Sequence, residues 1–248
     1  RPGHTPKIRF TVDNDAGDPI PAEEWTREEV LFAGPATNYQ LIMSTRDIAD
    51  NSTQNGDGSY TFTFPQAIPA TVPYQFNQED AMNSAAGAID EIYDSGTLYN
   101  DPLPDGTYTF GINLRTNVDT EGGTVRDATS ENVDVLMGNA TAIEKRELVT
   151  DANCNNCHAE IRGHGGSRIG VVQCQLCHTN GSEDLSDDTA EAGPTPYLSI
   201  SLQTMLHKIH SGYHLPSVNG KTVDGIGNPV YGEGTPYVIV RSRGEFDF

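Results

Sequence analysis

The sequence predicts a mainly β chain that begins with an immunoglobulin-like or Greek-key β-sandwich. From Lys7 onward apolar and polar residues alternate, which is the period of a half-buried strand. Two segments of similar sequence, at residues 56–64 and 105–112, each predict a glycine-containing turn followed by a strand rich in Tyr, Thr and Phe. A composition of 25 Gly, 15 Pro and 10 Tyr in 248 residues favours short strands joined by many turns.

Several segments in residues 1–144 have the pattern of sandwich strands. They lie at residues 7–12, 29–32, 39–44, 60–64, 108–114 and 133–137. Residues 78–93 interrupt this rhythm with an alanine-rich stretch that fits either a short helix or a long surface loop. No nucleophile, base and orienting acid form a recognisable catalytic motif here. We therefore expect residues 1–144 to be a β-sandwich domain that holds or docks the second domain.

Residues 145–248 predict a small, largely irregular domain with short helices. Asp151 is expected to cap a short helix. Residues 199–210 predict a helix, because Leu202, Leu206 and Ile209 follow helical spacing. Residues 180–196 are polar with Pro and Gly and predict a loop, and the apolar run at residues 237–240 predicts a terminal strand or hairpin.

Two five-residue motifs contain all four cysteines of the chain. They read Cys-Asn-Asn-Cys-His at residues 154–158 and Cys-Gln-Leu-Cys-His at residues 174–178. In such a motif the two thiols add to the vinyl groups of haem, and the histidine binds the iron from one side. The sequence therefore predicts two c-type haems per chain. The attachment residues are Cys154 and Cys157 with proximal ligand His158, and Cys174 and Cys177 with proximal ligand His178.

Two other interpretations compete for the same cysteines. Their spacing also fits a zinc ribbon with four thiolate ligands, and an exported protein can use four cysteines for two disulfides. Neither alternative requires a histidine directly after each cysteine pair, whereas haem attachment does. With only 7 His in 248 residues, two such coincidences favour haem.

The chain has more histidines than its two predicted irons need as second axial ligands. Imidazole is a common iron ligand, and a second one completes bis-histidine coordination. His164 lies among three glycines that free the backbone, and His207 lies on the predicted helix. We expect these two to be the distal ligands. Further candidates, which either donate hydrogen bonds or bind iron in a neighbouring subunit, are His210, His214 and His4.

The formal net charge of −20 limits the partners of the protein. It argues against nucleic acid and against electrostatic binding to anionic lipid, since both require a basic surface. No apolar run reaches the length of a transmembrane segment. Because haem is attached to Cys-x-x-Cys-His outside the cytoplasm, we expect an exported protein whose signal has been removed.

Four ordered motifs together resemble a known family. They are residues 151–158, 164–168, 174–180 and 205–212. They are similar to the first part of the haem domain in the OmcA/MtrC family of extracellular multihaem cytochromes, over roughly residues 145–215. The resemblance implies closely packed bis-histidine haems at the extracellular surface of bacteria, with other redox proteins or extracellular electron acceptors as partners. Those proteins hold many more haems, so this chain is either a fragment or a small two-haem relative.

The sequence thus predicts a dihaem c-type cytochrome that carries electrons and is not an enzyme. We expect an extracellular or outer cell-surface location, with the periplasm as the alternative. A two-haem unit carries electrons far only if copies stack, which makes a homo-polymer or filament a further hypothesis. The alternatives are a dihaem peroxidase or reductase with an open iron position, and a cell-surface structural module with a zinc ribbon.

Overall fold

A computed structural model describes the protein over most of its length. The described residues are 1–79, 96–184, 198–211, 221–226, 229–231, 238–241 and 244–247. Most of the predicted stretch at residues 78–93, and most of the predicted loop at residues 180–196, lie outside them. The chain divides into two compact units. The first unit is Arg1–Pro73 with Leu98–Cys177, and the second unit is Tyr74–Thr97 with His178–Phe248.

Two antiparallel sheets form the body of the first unit. The three-stranded sheet contains, in spatial order, β1 (Lys7–Phe10), β5 (Tyr60–Thr63) and β4 (Ser52–Gln54). The four-stranded sheet contains β3 (Gln40–Thr45), β2 (Trp25–Gly34), β6 (Gly106–Thr120) and β7 (Gly123–Met137). A short 3-10 helix, Ala22–Glu24, precedes β2.

The topology of the two sheets is immunoglobulin-like. The order β1-β5-β4 corresponds to strands B, E and D of an immunoglobulin sandwich, and β3-β2-β6-β7 corresponds to C′, C, F and G. Tyr108, near the start of β6, donates a hydrogen bond from its hydroxyl to the carbonyl of Pro104 at 2.8 Å. This is the tyrosine corner found at the start of strand F in such domains. The prediction of a mainly β chain with an N-terminal sandwich is therefore confirmed.

The core of the sandwich lies between the inner faces of the two sheets. Val30 and Phe32 of β2 are fully buried there, as is Phe62 of β5. The Phe32 ring stacks on Phe110 of β6 with centroids 4.2 Å apart. Ile8 and other alternating apolar residues of the N-terminal segment pack against this cluster. Removing such side chains from water is the main stabilising contribution to the fold.

The last two strands of the four-stranded sheet are much longer than predicted. Strands β6 and β7 pair without interruption from Gly106 opposite Met137 to Thr120 opposite Gly123. Near the turn the side chains are exposed, so no alternation of burial marks these residues as strand. Strand β4 was also not predicted, because it has only three residues and all are polar.

Three short helices and three small hairpins complete the described structure. The helices are α1 (Asp151–Asn155), α2 (Val171–Cys177) and α3 (Leu202–Ser211). The hairpins pair β8 (Arg162–Gly163) with β9 (Arg168–Ile169), β10 (Lys221–Val223) with β11 (Pro229–Tyr231), and β12 (Val238–Arg241) with β13 (Gly244–Asp247). The last hairpin and helix α3 confirm two predicted elements. Of the helices in the described part of the chain, none combines the length and apolar character that crossing a membrane requires.

Candidate functional site

The first cysteine motif lies on the surface of the first unit. Helix α1 begins after Thr150, whose hydroxyl accepts a hydrogen bond from the Asn153 amide at 3.3 Å. Thr150, and not Asp151, is therefore the N-cap. The amides of Cys157 and His158 bond to the Cys154 carbonyl at 3.1 and 3.0 Å, which continues the helical turn. Cys154 and Cys157 are thus one turn apart on the same side, with Cys157 and His158 exposed.

The second cysteine motif is built into the body of the first unit. Helix α2 carries Cys174 and Cys177 one turn apart and packs on the outer face of the four-stranded sheet. Leu176 and Cys177 join a buried cluster that includes Leu31 of β2. A glycine permits this close approach, because a Cβ atom at Gly111 would lie 2.3 Å from the Leu176 Cδ1 atom.

Direct hydrogen bonds connect the two motif-bearing helices and the sheet. The Asp151 carboxylate in α1 accepts a hydrogen bond at 2.6 Å from the Val171 amide, at the start of α2. The side-chain amide of Gln173 in α2 donates to the Glu131 carbonyl at 3.0 Å and to the Asn132 side chain at 2.6 Å, both in β7. The first residue of α1 is therefore held close to the first residue of α2.

His178 opens the second unit, where it contacts the residues that precede and begin α3. Its Nδ1 atom lies 2.8 Å from the Ile200 carbonyl oxygen, and its own carbonyl accepts a hydrogen bond from the Leu202 amide at 2.8 Å. A carbonyl can only accept, so the proton of a neutral His178 ring resides on Nδ1 and the lone pair on Nε2. Such a bond orients an imidazole for metal binding through Nε2.

The remaining candidate histidines occupy different places. His164 lies between β8 and β9 with a left-handed φ of 54° and an exposed side chain. His207 and His210 are exposed on α3, and the His210 Nδ1 atom lies 2.8 Å from the Leu206 carbonyl oxygen. His4 accepts a hydrogen bond from Arg1 at 2.7 Å. His214 lies outside the described residues.

The thiols of the second motif lie beside a buried ion pair. Arg168 donates from Nε to the Glu29 carboxylate at 2.7 Å, and the two residues are 6% and 4% exposed. Burial raises the pKa of Cys174 to about 11 and that of Cys177 to about 12, while the positive charge of Arg168 opposes both increases. Glu29 and Arg168 were not predicted as site residues. They are 139 residues apart, so no local pattern connects them.

The donor chemistry of both motifs fits haem attachment. Each motif offers two thiols one helical turn apart with an imidazole directly after them, and all four thiols are free of disulfide bonds. The Gln175 Oε1 atom inside the second motif is buried without a hydrogen-bond partner. Within the described residues, no group of three or more His, Cys, Asp or Glu side chains is arranged to hold a metal ion.

The two Cys-x-x-Cys-His motifs, which lie in a β-rich chain, are typical of the class of c-type cytochromes. More particularly, residues 146–230 match the model of the family described as outer membrane cytochrome MtrC/MtrF-like, domains II/IV. The segment that matches contains both cysteine motifs, and its resemblance to the OmcA/MtrC family is thereby confirmed. Neither the curated proteins nor the solved structures contain a significant match to the chain. The family indicates electron transfer on haem c, redox partners and an extracellular or cell-surface location.

Proposed function

We propose that the protein is an exported cytochrome that binds two c-type haems per chain and carries electrons between them, without acting as an enzyme. One observation carries this proposal. Two Cys-x-x-Cys-His motifs, each with its thiols one helical turn apart, lie inside the segment that matches the cytochrome family. In the proposed arrangement residues 145–248 are the haem domain and residues 1–144 are its scaffold.

The proximal iron ligands in this proposal are His158 and His178. The hydrogen bond between His178 Nδ1 and the Ile200 carbonyl supports the second assignment, because it leaves the lone pair on Nε2. His164 and His207 are the proposed distal ligands. His210, His214 and His4 remain candidates for hydrogen bonding or for binding iron in a neighbouring copy.

The haem supplies the one-electron redox chemistry, and the chain supplies its position and surroundings. Packing of α2 on the outer face of the sheet supports a defined position for the second proposed attachment site. The hydrogen bond from Val171 to Asp151 then fixes the start of the first motif relative to α2. Rigid spacing matters for this function because electrons pass efficiently only between cofactors that are held close together.

The proposed partners are other redox proteins or extracellular electron acceptors. The surplus of histidines over axial positions also supports a homo-polymer in which haems of neighbouring copies stack. Light scattering over a range of concentrations tests this part by itself. The particle size is expected to increase with protein concentration. A monodisperse monomer at high concentration would contradict the polymer hypothesis but not the proposed role as an electron carrier.

The absorption spectrum of the reduced protein in pyridine, with protein quantified alongside, tests the central proposal. Two c-type haems per chain are expected.

A His178→Ala variant should lose normal ligation at one haem and interrupt electron transfer, whereas unchanged transfer would contradict the role of His178. Carbon monoxide distinguishes the peroxidase or reductase alternative, since a bis-histidine iron resists it and an open iron binds it. A protein that contains zinc and no haem would overturn the proposal.

A further inference from the structure

The hairpin of β8 and β9 carries one of the proposed iron ligands on its loop, residues 164–167. His164 is exposed there and has a φ of 54°, which residues with a side chain seldom adopt. The Gly163 carbonyl accepts hydrogen bonds from the amides of Gly166 and Ser167, both at 3.1 Å. These bonds close the loop, so the backbone around His164 is tied to the end of β8.

The other end of this loop and strand β9 are bound to three strands of the four-stranded sheet. Ser167, which is 2% exposed, accepts a hydrogen bond at 3.2 Å from the Arg115 guanidinium of β6. The Ile169 amide donates to the Ser130 hydroxyl of β7 at 3.0 Å. Between these two contacts lies the buried ion pair that joins β9 to β2. The sandwich therefore holds the hairpin along the whole of β9.

The side chains of Arg115 and Ser130 are themselves held by the sandwich. Arg115 donates from Nε to the Thr26 hydroxyl of β2 at 3.1 Å. The Ser130 hydroxyl donates to the Asn113 Oδ1 atom of β6 at 2.7 Å, while it accepts from the hairpin. A hydroxyl that donates one hydrogen bond and accepts another has a defined orientation. Both side chains thus connect the hairpin to fixed points in the scaffold domain.

The hairpin and helix α2 share one face of the sheet. Ser130 and Asn132 are alternate residues of β7, so their side chains lie on the same face. Asn132 accepts a hydrogen bond at 2.6 Å from Gln173 of α2. The face that supports the second cysteine motif therefore also supports the loop that carries His164.

We propose that Arg115 and Ser130 are positioning residues for His164, because they hold the β8–β9 hairpin on the sheet so that its imidazole stays bound to iron. This inference rests on the proposed function, in which His164 is a distal ligand. A ligand on a free loop loses conformational entropy each time it binds. A loop that the sheet has already ordered lost this entropy during folding, so its imidazole binds more tightly.

Carbon monoxide binding to the reduced haem protein tests this role, because the gas competes with the distal imidazole for iron. Haem content is measured first, and fewer than two haems per chain would refute the proposed function. The reference variant His164→Ala should bind carbon monoxide at one haem per chain. If it binds none, His164 is not an axial ligand and the inference is overturned, while two bound haems leave the proposed electron carrier standing.

The Arg115→Ala/Ser130→Ala variant retains His164 and removes both contacts to the hairpin. Loss of two hydrogen bonds should raise the affinity for carbon monoxide roughly tenfold at one haem and leave the other haem unchanged. Ser130→Thr keeps the hydroxyl and should stay within a few-fold of the original affinity. An unchanged affinity in the double variant would overturn the inference.

Thr116→Ala separates positioning from a general loss of stability. It removes a hydroxyl of β6 that donates to the Glu24 carbonyl at 3.0 Å, a partner outside the hairpin. Its affinity for carbon monoxide should not change, and a rise equal to that of the double variant would contradict the inference. If the double variant does not fold, Ser167→Ala decides, because it removes only the hydroxyl bound by Arg115. A raised affinity there supports the proposal, and an unchanged one overturns it.

Discussion

The two cysteine motifs have nearly the same sequence but opposite structural settings. The first begins within a five-residue helix that has no buried residue, and its second thiol and its histidine are exposed. The second lies on α2, which packs against the sandwich through Leu176 and Cys177. The same Cys-x-x-Cys-His pattern thus lies once at the surface and once against a buried core. The comparison teaches that the scaffold, and not the motif, decides the solvent exposure and electrostatic field at each site.

Thiol reactivity in the haem-free protein should show the largest difference between the two motifs. The thiolate is the reactive form, and burial raises the pKa of Cys177 to about 12, which lowers its thiolate fraction at pH 8 roughly a thousandfold relative to an ordinary thiol. Alkylation with iodoacetamide, followed by mass spectrometry of peptides, should therefore modify the exposed Cys157 first. The rate at Cys177 should rise steeply with pH. Equal rates at both residues would show that α2 does not stay on the sheet.

The buried ion pair provides the next largest effect, on stability. Arg168→Ala leaves the Glu29 carboxylate, which is 4% exposed, without its closest ion-pair partner. We expect a loss of about 3 kcal/mol in the free energy of unfolding, measured by urea denaturation.

The matched control for this variant is Arg9→Ala, which removes an ion pair whose partners are 62% and 58% exposed. Water screens that pair, and the lost hydrogen bond from Arg9 to the Ser59 hydroxyl contributes about 1 kcal/mol, so the loss of stability should stay well below that of Arg168→Ala. A similar loss of free energy of unfolding in both variants would indicate that burial does not increase the contribution of the Arg168–Glu29 ion pair to stability.

Helix docking can be tested at the glycine beneath α2. A Cβ atom in Gly111→Ala would lie 2.3 Å from Leu176 Cδ1 and 2.7 Å from Gln173 Oε1, so α2 has to shift. Overpacking of this kind costs about 1–3 kcal/mol in the free energy of unfolding. Gly56→Ala is the control, because nothing lies within 4 Å of a Cβ atom there. Equal stability of the two variants would contradict close packing of the helix on the sheet.

The smallest expected effect is at the cap of α1. Thr150→Ala removes the hydroxyl that accepts a hydrogen bond from Asn153 and should cost about 1 kcal/mol, confined to that helix. Hydrogen exchange should accelerate at the Asn153 amide and remain unchanged in α2. Faster exchange in α2 would mean that the two motifs unfold as one unit, which would remove the contrast between them.

Sequence patterns predicted most of the fold for definable reasons, and they located both Cys-x-x-Cys-His motifs. Strands that cover the core alternate between apolar and polar residues, so β1 and the central part of β6 could be predicted. The exposed ends of β6 and β7 lack this alternation and could not. The cysteine motifs are local and specific. The ion pair between Arg168 and Glu29 could not be predicted from a local sequence pattern, because the two residues are 139 positions apart. Asp151 was predicted to cap its own helix, but its carboxylate bonds to Val171 in the next one.

The enclosure of Cys177 has a consequence for the order of events during biogenesis. A thioether forms only if the thiol reaches a vinyl group of haem, and a side chain packed between α2 and the sheet has no such access. If Cys177 carries haem, the cofactor is therefore joined to the newly exported chain before α2 settles on the sandwich. The haem would then form part of the surface on which that region folds.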